Sequence, residues 1–195
     1  MNAADAVVAL PAGRYNPLFI HGPSGVGKTH LLNAIGNGLA REAGSAPVAC
    51  VPAQLFVDEL ISALQEGTVE RWRQRYRNAS ALLLDDVQFV AGKERTQEEL
   101  FHVFNALYAD GKQLVLASDR PPRELSGLEE RLRSRFEGGL VAALEAPDRA
   151  LREKLYGRYL GEVAGGDDAD LLGYLAERAI RRLHLDHESA LEPRA

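Results

Sequence analysis

The sequence contains very little sulfur. Its 195 residues include one cysteine, Cys50, and one methionine at the first position. A single cysteine excludes a disulfide bond within the chain. Cys50 lies in the short apolar run "VACV", and this setting predicts a buried, structural thiol.

Long apolar runs are also missing. No stretch approaches the roughly 18 consecutive apolar residues that a transmembrane helix requires. The N-terminal "MNAADAVVALPAGR" has neither a basic start nor a long apolar segment, so it does not resemble a secretory signal. We therefore expect no membrane span and a cytoplasmic location.

The chain has no excess of positive charge. Its formal net charge is −5 and its pI is about 5.6, so any binding to nucleic acid would depend on a local basic patch. One candidate patch is "RLRSRF", which places three arginines within six residues at positions 131–136. The length suits one α/β domain, with or without a small appendage.

Short apolar runs alternate with amphipathic patterns along the chain. This alternation predicts an α/β fold in which helices cover both faces of a parallel sheet. We expect helix N-caps at Thr96 and Asp148, and a helix end at Gly111. The predicted strands are "PLFIHG", "VACVP", "ALLLDD", "QLVLASD" and "GLVAAL".

The most specific motif is "GPSGVGKT", which follows the first predicted strand and precedes a helical pattern. It fits the phosphate-binding loop G-x-x-x-x-G-K-[ST], in which backbone N–H groups and a helix N-terminus surround phosphate oxygens. We expect the loop to bind ATP or ADP, with Lys28 at the β-phosphate and, in ATP, the γ-phosphate, and the Thr29 hydroxyl to bind Mg²⁺. The candidate nucleotide-binding residues are Gly22, Pro23, Ser24, Gly25, Val26, Gly27, Lys28, Thr29 and His30, together with Asp85.

Acidic residues follow two of the predicted strands. Asp85 and Asp86 end "LLLDD", and Asp119 ends "LVLASD". The carboxyl ends of parallel strands meet at one edge of the sheet, so these carboxylates are expected beside the phosphate loop. We expect Asp85 to hold Mg²⁺ and Asp86 to orient or deprotonate the attacking water. Asp119 is expected either to sense the γ-phosphate or to help orient this water.

Three longer stretches carry a more specific resemblance: "YNPLFIHGPSGVGKTHLLNAIGN", "RWRQRYRNASALLLDDVQFVAGKERTQEELFHVFNAL" and "LASDRPPREL" with "GLEERLRSRFEGGL". From residue 14 to about 160 the chain resembles the ATPase domain of the bacterial chromosomal replication initiator family DnaA, within the AAA+ ATPases. The resemblance implies a P-loop NTPase fold of three α/β/α layers with a partial C-terminal helical lid. The implied divisions are a short N-terminal segment (1–14), the nucleotide-binding core (15–162) and the lid (163–195).

The resemblance also implies roles for single residues. Asp85 and Asp86 match the Walker B pair, and Asp119 matches sensor 1. The second Walker B acid is Asp where most AAA+ proteins have Glu, which implies slow hydrolysis. Arg135 matches the arginine finger that reaches the ATP of an adjacent protomer, and Arg131 matches a second arginine of that box. This assignment implies head-to-tail assembly with itself or with a full-length initiator.

The family's contacts to single-stranded DNA fall on Ile61 and Arg95 of this chain. Each has a simpler alternative, since Ile61 suits a helix core and Arg95 suits an exposed helix start. The arginines at positions 71, 73, 75 and 77 form either a DNA-facing surface or a solvated face. Trp72 and Tyr76, spaced i and i+4, are expected to pack against each other.

Three functions are compatible with this sequence. The first is an ATPase of the initiator type that engages single-stranded DNA. The second is a non-catalytic module that docks on a full-length initiator and stimulates its hydrolysis. The third is a helicase loader.

The family's sensor 2 arginine has no clear counterpart, and the candidates are Arg181, Arg182 and His184.

Overall fold

The computed structural model describes residues 3–42, 46–148, 150, 151 and 154. The chain divides into two compact units, residues 1–144 and 145–195, and almost all described residues belong to the first. The predicted lid, its boundary at residue 163 and the sensor 2 candidates lie outside the described residues.

The first unit is built on a five-stranded sheet in which every pair of neighbouring strands is parallel. The strand order is β2-β3-β4-β1-β5, so β1 lies between β4 and β5 and all carboxyl ends meet at one edge. This arrangement confirms the predicted parallel α/β fold. The strands are β1 (Leu18–His21), β2 (Val48–Pro52), β3 (Ala81–Asp85), β4 (Gln113–Ser118) and β5 (Leu140–Ala143).

Helices cover both faces of the sheet, because successive strand residues point to opposite sides. Leu82 and Leu84 of β3 join the larger core with α3 to α6, whereas Leu83 between them joins the smaller core with α2. The result is the predicted three-layer architecture. The helices are α1 (Ala3–Ala9), α2 (Lys28–Glu42), α3 (Ala53–Gln65), α4 (Val69–Arg77), α5 (Glu94–Ala109) and α6 (Glu130–Glu137), with 3₁₀ turns at Val87–Val90 and Pro122–Glu124.

The predicted burial of Cys50 is wrong. Cys50 is exposed, and its sulfur lies 3.5 Å from the Asn33 side-chain oxygen. The reason is strand order, since β2 is at the end of the sheet and has one neighbouring strand. The apolar run "VACV" therefore forms a half-exposed edge strand.

The predicted helix ends have mixed outcomes. Thr96 does not cap α5: the helix begins at Glu94, and Thr96 is buried in its first turn. Gly111 follows the end of α5 with a φ of +65°, as predicted. In the second unit, Asp148 Oδ1 accepts a 2.7 Å hydrogen bond from the Leu151 N–H, in agreement with the predicted cap.

Helix α1 was not expected within the short N-terminal segment. Its Val7 is buried in the smaller core, and Val8 packs so closely on α2 that a Cβ on Gly38 would lie 2.7 Å from it. None of the helices in the described part of the chain is long and apolar enough to cross a membrane.

Candidate functional site

The phosphate loop connects β1 to α2 at the carboxyl edge of the sheet. Gly22 starts the loop in a crowded position, where a Cβ would lie 2.2 Å from the Leu144 carbonyl oxygen. Gly25 and Gly27 have φ values of +80° and +101°, a region that favours glycine. The Gly22 N–H donates to the Ser118 carbonyl at 3.2 Å, which ties the loop to β4. The sequence therefore curls the loop around the N-terminus of α2.

Lys28 begins α2 and is 8% exposed. Its Nζ donates hydrogen bonds of 2.8 and 2.9 Å to the carbonyl oxygens of Gly22 and Pro23. The ammonium group is thus held inside the loop, where it can neutralise a phosphate. The predicted residues Ser24, Gly25 and His30 are exposed at the same edge, where a ligand can reach them.

Thr29 and Asp85 come from different strand–helix units, yet their side chains touch. The Thr29 hydroxyl donates to Asp85 Oδ2 at 2.6 Å, and Asp85 Oδ1 accepts the Asp86 N–H at 3.0 Å. Hydroxyl and carboxylate oxygens are the ligands that Mg²⁺ prefers. Among the described residues, no cluster of three or more His, Cys, Asp or Glu side chains could hold a metal ion alone. Mg²⁺ at this pair would take its other ligands from phosphate and water.

Asp86 follows β3 in a left-handed conformation, with φ 53° and ψ 50°. Its Oδ1 accepts a 3.0 Å hydrogen bond from the Gln88 side-chain amide. Gln88 Oε1 in turn accepts a 3.1 Å hydrogen bond from the fully buried Ser118 hydroxyl of β4. Sequence reasoning missed Gln88 and Ser118, because their contact depends on the pairing of β3 with β4.

Asp119 lies at the same edge, directly after β4. Its two carboxylate oxygens accept hydrogen bonds of 3.0 and 2.8 Å from the guanidinium of Arg120. These bonds, and the charges of Arg120 and Lys28, hold the pKa of Asp119 below its usual value, although partial burial opposes the shift. Arg120 is a further residue of the site that the sequence did not single out.

His21 and His30 flank the phosphate loop, and among the described residues neither belongs to a cluster of metal-binding side chains. His21 ends β1, and burial is the main cause that lowers its pKa. His30 is exposed on the first turn of α2.

Arg131 and Arg135 share one face of α6, as their i, i+4 spacing predicts. Their guanidinium carbons lie 5.0 and 5.9 Å from the centre of the Phe101 ring, within cation–π distance. Arg131 also pairs with Glu129 at 2.7 Å, whereas Arg135 has no ion pair within the part of the chain described. Arg133 points elsewhere, toward Glu130 and the Leu128 carbonyl.

Arg135 borders a surface cleft of about 270 Å³. Its other lining residues are Pro17 just before β1, Phe104 and Tyr108 of α5, Ser134 of α6 and Gly138 just after α6. Arg135 is exposed.

The two candidate DNA contacts are both at the surface. Ile61 is 46% exposed on α3, so the alternative that it belongs to the core is wrong. Arg95 pairs with Glu98 and, at 2.7 Å, with Glu99 of its own helix.

The arginines of α4 are partly paired. Arg73 donates two bonds of 2.7 Å to Glu99, and Arg75 pairs with Glu59 at 3.0 Å. The aromatic residues Trp72 and Tyr76 are buried with ring centres 5.1 Å apart, which confirms that they pack together.

Comparisons with known proteins agree with this geometry. Residues 1–143 match the family model described as the bacterial DnaA ATPase domain. The chain is 47% identical over 184 residues to the chromosomal replication initiator protein DnaA of Thermomicrobium roseum, an alignment that covers 93% of this chain and 40% of the relative. The chain thus spans less than half the length of that relative.

Two solved structures are similar throughout. Domain III of the Thermotoga maritima replication initiation protein DnaA shares 39% identity and a TM-score of 0.84, with 98% of this chain and 85% of that chain covered. A replication initiator DnaA bound to AMPPCP and single-stranded DNA shares 40% identity and a TM-score of 0.83, with coverage of 94% and 57%. The phosphate loop, the parallel sheet and these similarities lead to one assignment: the chain belongs to the DnaA family and contains its ATPase domain.

Proposed function

We propose that this chain is the ATP-dependent module of a replication initiator, which binds ATP with Mg²⁺, assembles head-to-tail and engages single-stranded DNA. The observation that carries the proposal is the 2.6 Å contact between Thr29 and Asp85 beside the buried Lys28. Through this contact the candidate cation ligand Asp85 lies next to Thr29, the last residue of the phosphate-loop motif. A related DnaA was solved with an ATP analogue and single-stranded DNA, which supports the same two ligands here.

In this proposal the loop binds the triphosphate and Lys28 neutralises its negative charge. Thr29 and Asp85 hold Mg²⁺, which when bound supplies positive charge near the transferred phosphoryl group. The exposed residues of the loop leave the site open to nucleotide from the edge of the sheet.

Hydrolysis needs an oriented water beside the γ-phosphate. The water oxygen forms a bond to phosphorus, and the bond from phosphorus to the β–γ bridging oxygen breaks, with its electron pair staying on ADP. The protons of the water leave on the released phosphate or pass to solvent. In this proposal Asp86 accepts a hydrogen bond from the water, and Asp119 helps to orient it. Because an Asp side chain is shorter than Glu, we expect slow turnover suited to a switch.

The assembly part of the proposal depends on Arg135. An exposed guanidinium without an acidic partner among the described residues is available to a phosphate on another molecule. The same observation supports the second candidate function, in which the chain docks on a full-length initiator and Arg135 promotes hydrolysis of that partner's ATP. Arginine fingers of this kind raise rates by several powers of ten.

The central experiment measures binding of ATP and release of phosphate for the unsubstituted chain and for Lys28→Ala. We expect the unsubstituted chain to bind ATP in the presence of Mg²⁺, and Lys28→Ala to lose most of this binding. Lys93→Ala is the matched control, because Lys93 lies outside the loop and contacts Gln54. Failure of both the unsubstituted chain and the control to bind ATP would show that the proposal is wrong.

A second assay separates the three functions. Adding the chain to a full-length initiator and following ATP hydrolysis tests the regulatory candidate, which requires stimulation that Arg135→Ala abolishes. Binding to a replicative helicase would instead indicate the helicase loader. Assembly that depends on ATP, with neither of those effects, supports the initiator module.

A further inference from the structure

Gln88 connects two elements of the candidate site that are separate in sequence. It lies in the 3₁₀ turn after β3, two residues beyond Asp86 and thirty residues before Ser118. Its amide nitrogen contacts the Asp86 carboxylate, and its amide oxygen contacts the Ser118 hydroxyl. One side chain therefore spans the carboxyl ends of β3 and β4.

The orientation of this amide follows from the chemistry of its partners. A carboxylate accepts hydrogen bonds and donates none, so Asp86 must face the Gln88 NH₂ group. The amide oxygen then faces Ser118, whose single hydroxyl proton is donated across 3.1 Å. The Asp119 carboxylate is farther from that hydroxyl, at 3.5 Å, and it already accepts two bonds from Arg120.

Ser118 anchors this arrangement on both sides. Its hydroxyl is fully buried and fixes Gln88, while its carbonyl oxygen accepts the Gly22 N–H at the start of the phosphate loop. The position of the Asp86 carboxylate is thus tied through Gln88 to the strand that also holds the loop. Asp86 has a left-handed backbone conformation, which is uncommon for a residue other than glycine and sets the direction of its Cα–Cβ bond. The hydrogen bond from Gln88 then fixes the carboxylate.

We propose that Gln88 is a positioning residue for ATP hydrolysis, which holds the Asp86 carboxylate at a fixed place relative to the phosphate loop. The inference rests on the proposed function, because it requires that the chain hydrolyses ATP. Gln88 contacts no phosphate in this role and acts through Asp86 alone. It should therefore affect turnover and leave nucleotide affinity unchanged.

The test uses the full chain and two variants of Gln88. Gln88→Glu keeps the shape and the acceptor for Ser118 but removes the donor to Asp86, and Gln88→Met keeps the volume without either polar contact. We expect both to lower kcat about tenfold or more, as the loss of one hydrogen bond to a charged group implies. The Kd for a non-hydrolysable ATP analogue with Mg²⁺ should change by less than about twofold, because Gln88 contacts Asp86 and not the nucleotide. Gln74→Ala, on the exposed side of α4, is the matched control and should change neither value.

A double substitution shows whether Gln88 acts through Asp86. In an Asp86→Ala background, Gln88→Glu should reduce the residual rate no further, whereas a general loss of structure would lower it again. An unchanged kcat in Gln88→Glu and Gln88→Met, with hydrolysis by the unsubstituted chain, would overturn this inference alone. Absence of hydrolysis by the unsubstituted chain would overturn the proposed hydrolysis and this inference together.

Discussion

Arg73 of α4 and Glu99 of α5 are joined by two parallel hydrogen bonds of 2.7 Å, and the Glu99 side chain is 0% exposed. Arg95, one turn before Glu99, forms an ion pair with the same carboxylate at 2.7 Å. A buried carboxylate needs such partners, because an isolated charge is costly to remove from water. Glu99 therefore fixes the basic helix α4 to the start of α5, where the candidate DNA contact Arg95 lies.

Removal of this carboxylate should destabilise the first unit. We expect Glu99→Ala to lower the free energy of unfolding by about 2–4 kcal/mol, because two arginines lose their buried partner. Urea denaturation measures the difference. Glu98→Ala is the control: Glu98 also pairs with Arg95 but is exposed, so its loss should cost less than about 1 kcal/mol. Equal losses of unfolding free energy in Glu99→Ala and Glu98→Ala would contradict the claim that the burial of Glu99 makes its ion pairs important.

The same carboxylate should make stability depend on pH. The hydrogen bonds from Arg73, with the charges of Arg73, Arg95 and His102, hold the pKa of Glu99 below its usual 4.5 against the opposing effect of burial. A carboxylate with a lowered pKa stabilises the fold above the unfolded value, and this contribution is lost as the pH falls through the folded value. The stability difference between the unsubstituted chain and Glu99→Gln should therefore be constant near neutral pH and shrink below about 4.5. A difference that persists in strong acid would show that the pair does not titrate in this way.

Substitution of two glycines with positive φ distinguishes the cost of backbone strain from a loss of nucleotide binding. Gly27 in the phosphate loop and Gly67 between α3 and α4 have φ values of +101° and +68°. A Cβ at either position would meet no non-neighbouring atom within 4 Å, so alanine there would be strained by its backbone conformation and not by a clash. Alanine at either position should cost about 1–2 kcal/mol of stability. Gly27→Ala should also weaken ATP binding, whereas Gly67→Ala should leave it unchanged. Calorimetry on both variants measures the two quantities, and equal ATP affinities would argue against a phosphate loop at Gly27.

Arg135 should act on another molecule and not on the nucleotide of its own chain. We expect Arg135→Ala to keep the affinity for ATP and to abolish ATP-dependent assembly, measured by analytical ultracentrifugation with and without ATP. Arg133→Ala is matched in helix and charge, but Arg133 faces Glu130 and Leu128. Assembly should therefore survive that change. If Arg135→Ala loses its own ATP instead, the assignment of Arg135 is wrong.

The two candidate DNA contacts should differ in their response to salt. Arg95→Ala should lower the affinity for single-stranded DNA and reduce the slope of log affinity against log salt by about 0.7, the value for one phosphate contact. Ile61→Ala should weaken binding without changing the slope, because it removes only apolar contact. Arg123→Ala, in an exposed turn, is the control for loss of one positive charge. An unchanged slope in Arg95→Ala would exclude a phosphate contact there.

Much of the fold could be predicted from local patterns. The strands β3 and β4 are continuous apolar runs because they are buried on both faces, and the phosphate loop is a contiguous motif. Two of the features that were not predicted share a physical cause. The exposure of Cys50 depends on the position of β2 at the end of the sheet, and the bond between Gln88 and Ser118 depends on the pairing of β3 with β4. Both depend on which strands become neighbours, and no short stretch of sequence encodes that.

Helix α5 connects two of the surfaces described above. Arg95 lies in its first turn and Phe101 lies six residues later, about 9 Å along the axis at the usual helical rise. Arg95 belongs to the candidate DNA surface, and Phe101 supports the guanidinium groups of Arg131 and Arg135. One 16-residue helix therefore carries Arg95 and also the aromatic ring beneath these two guanidinium groups. In the proposed function, DNA and a neighbouring subunit therefore contact residues that are carried or supported by the same helix.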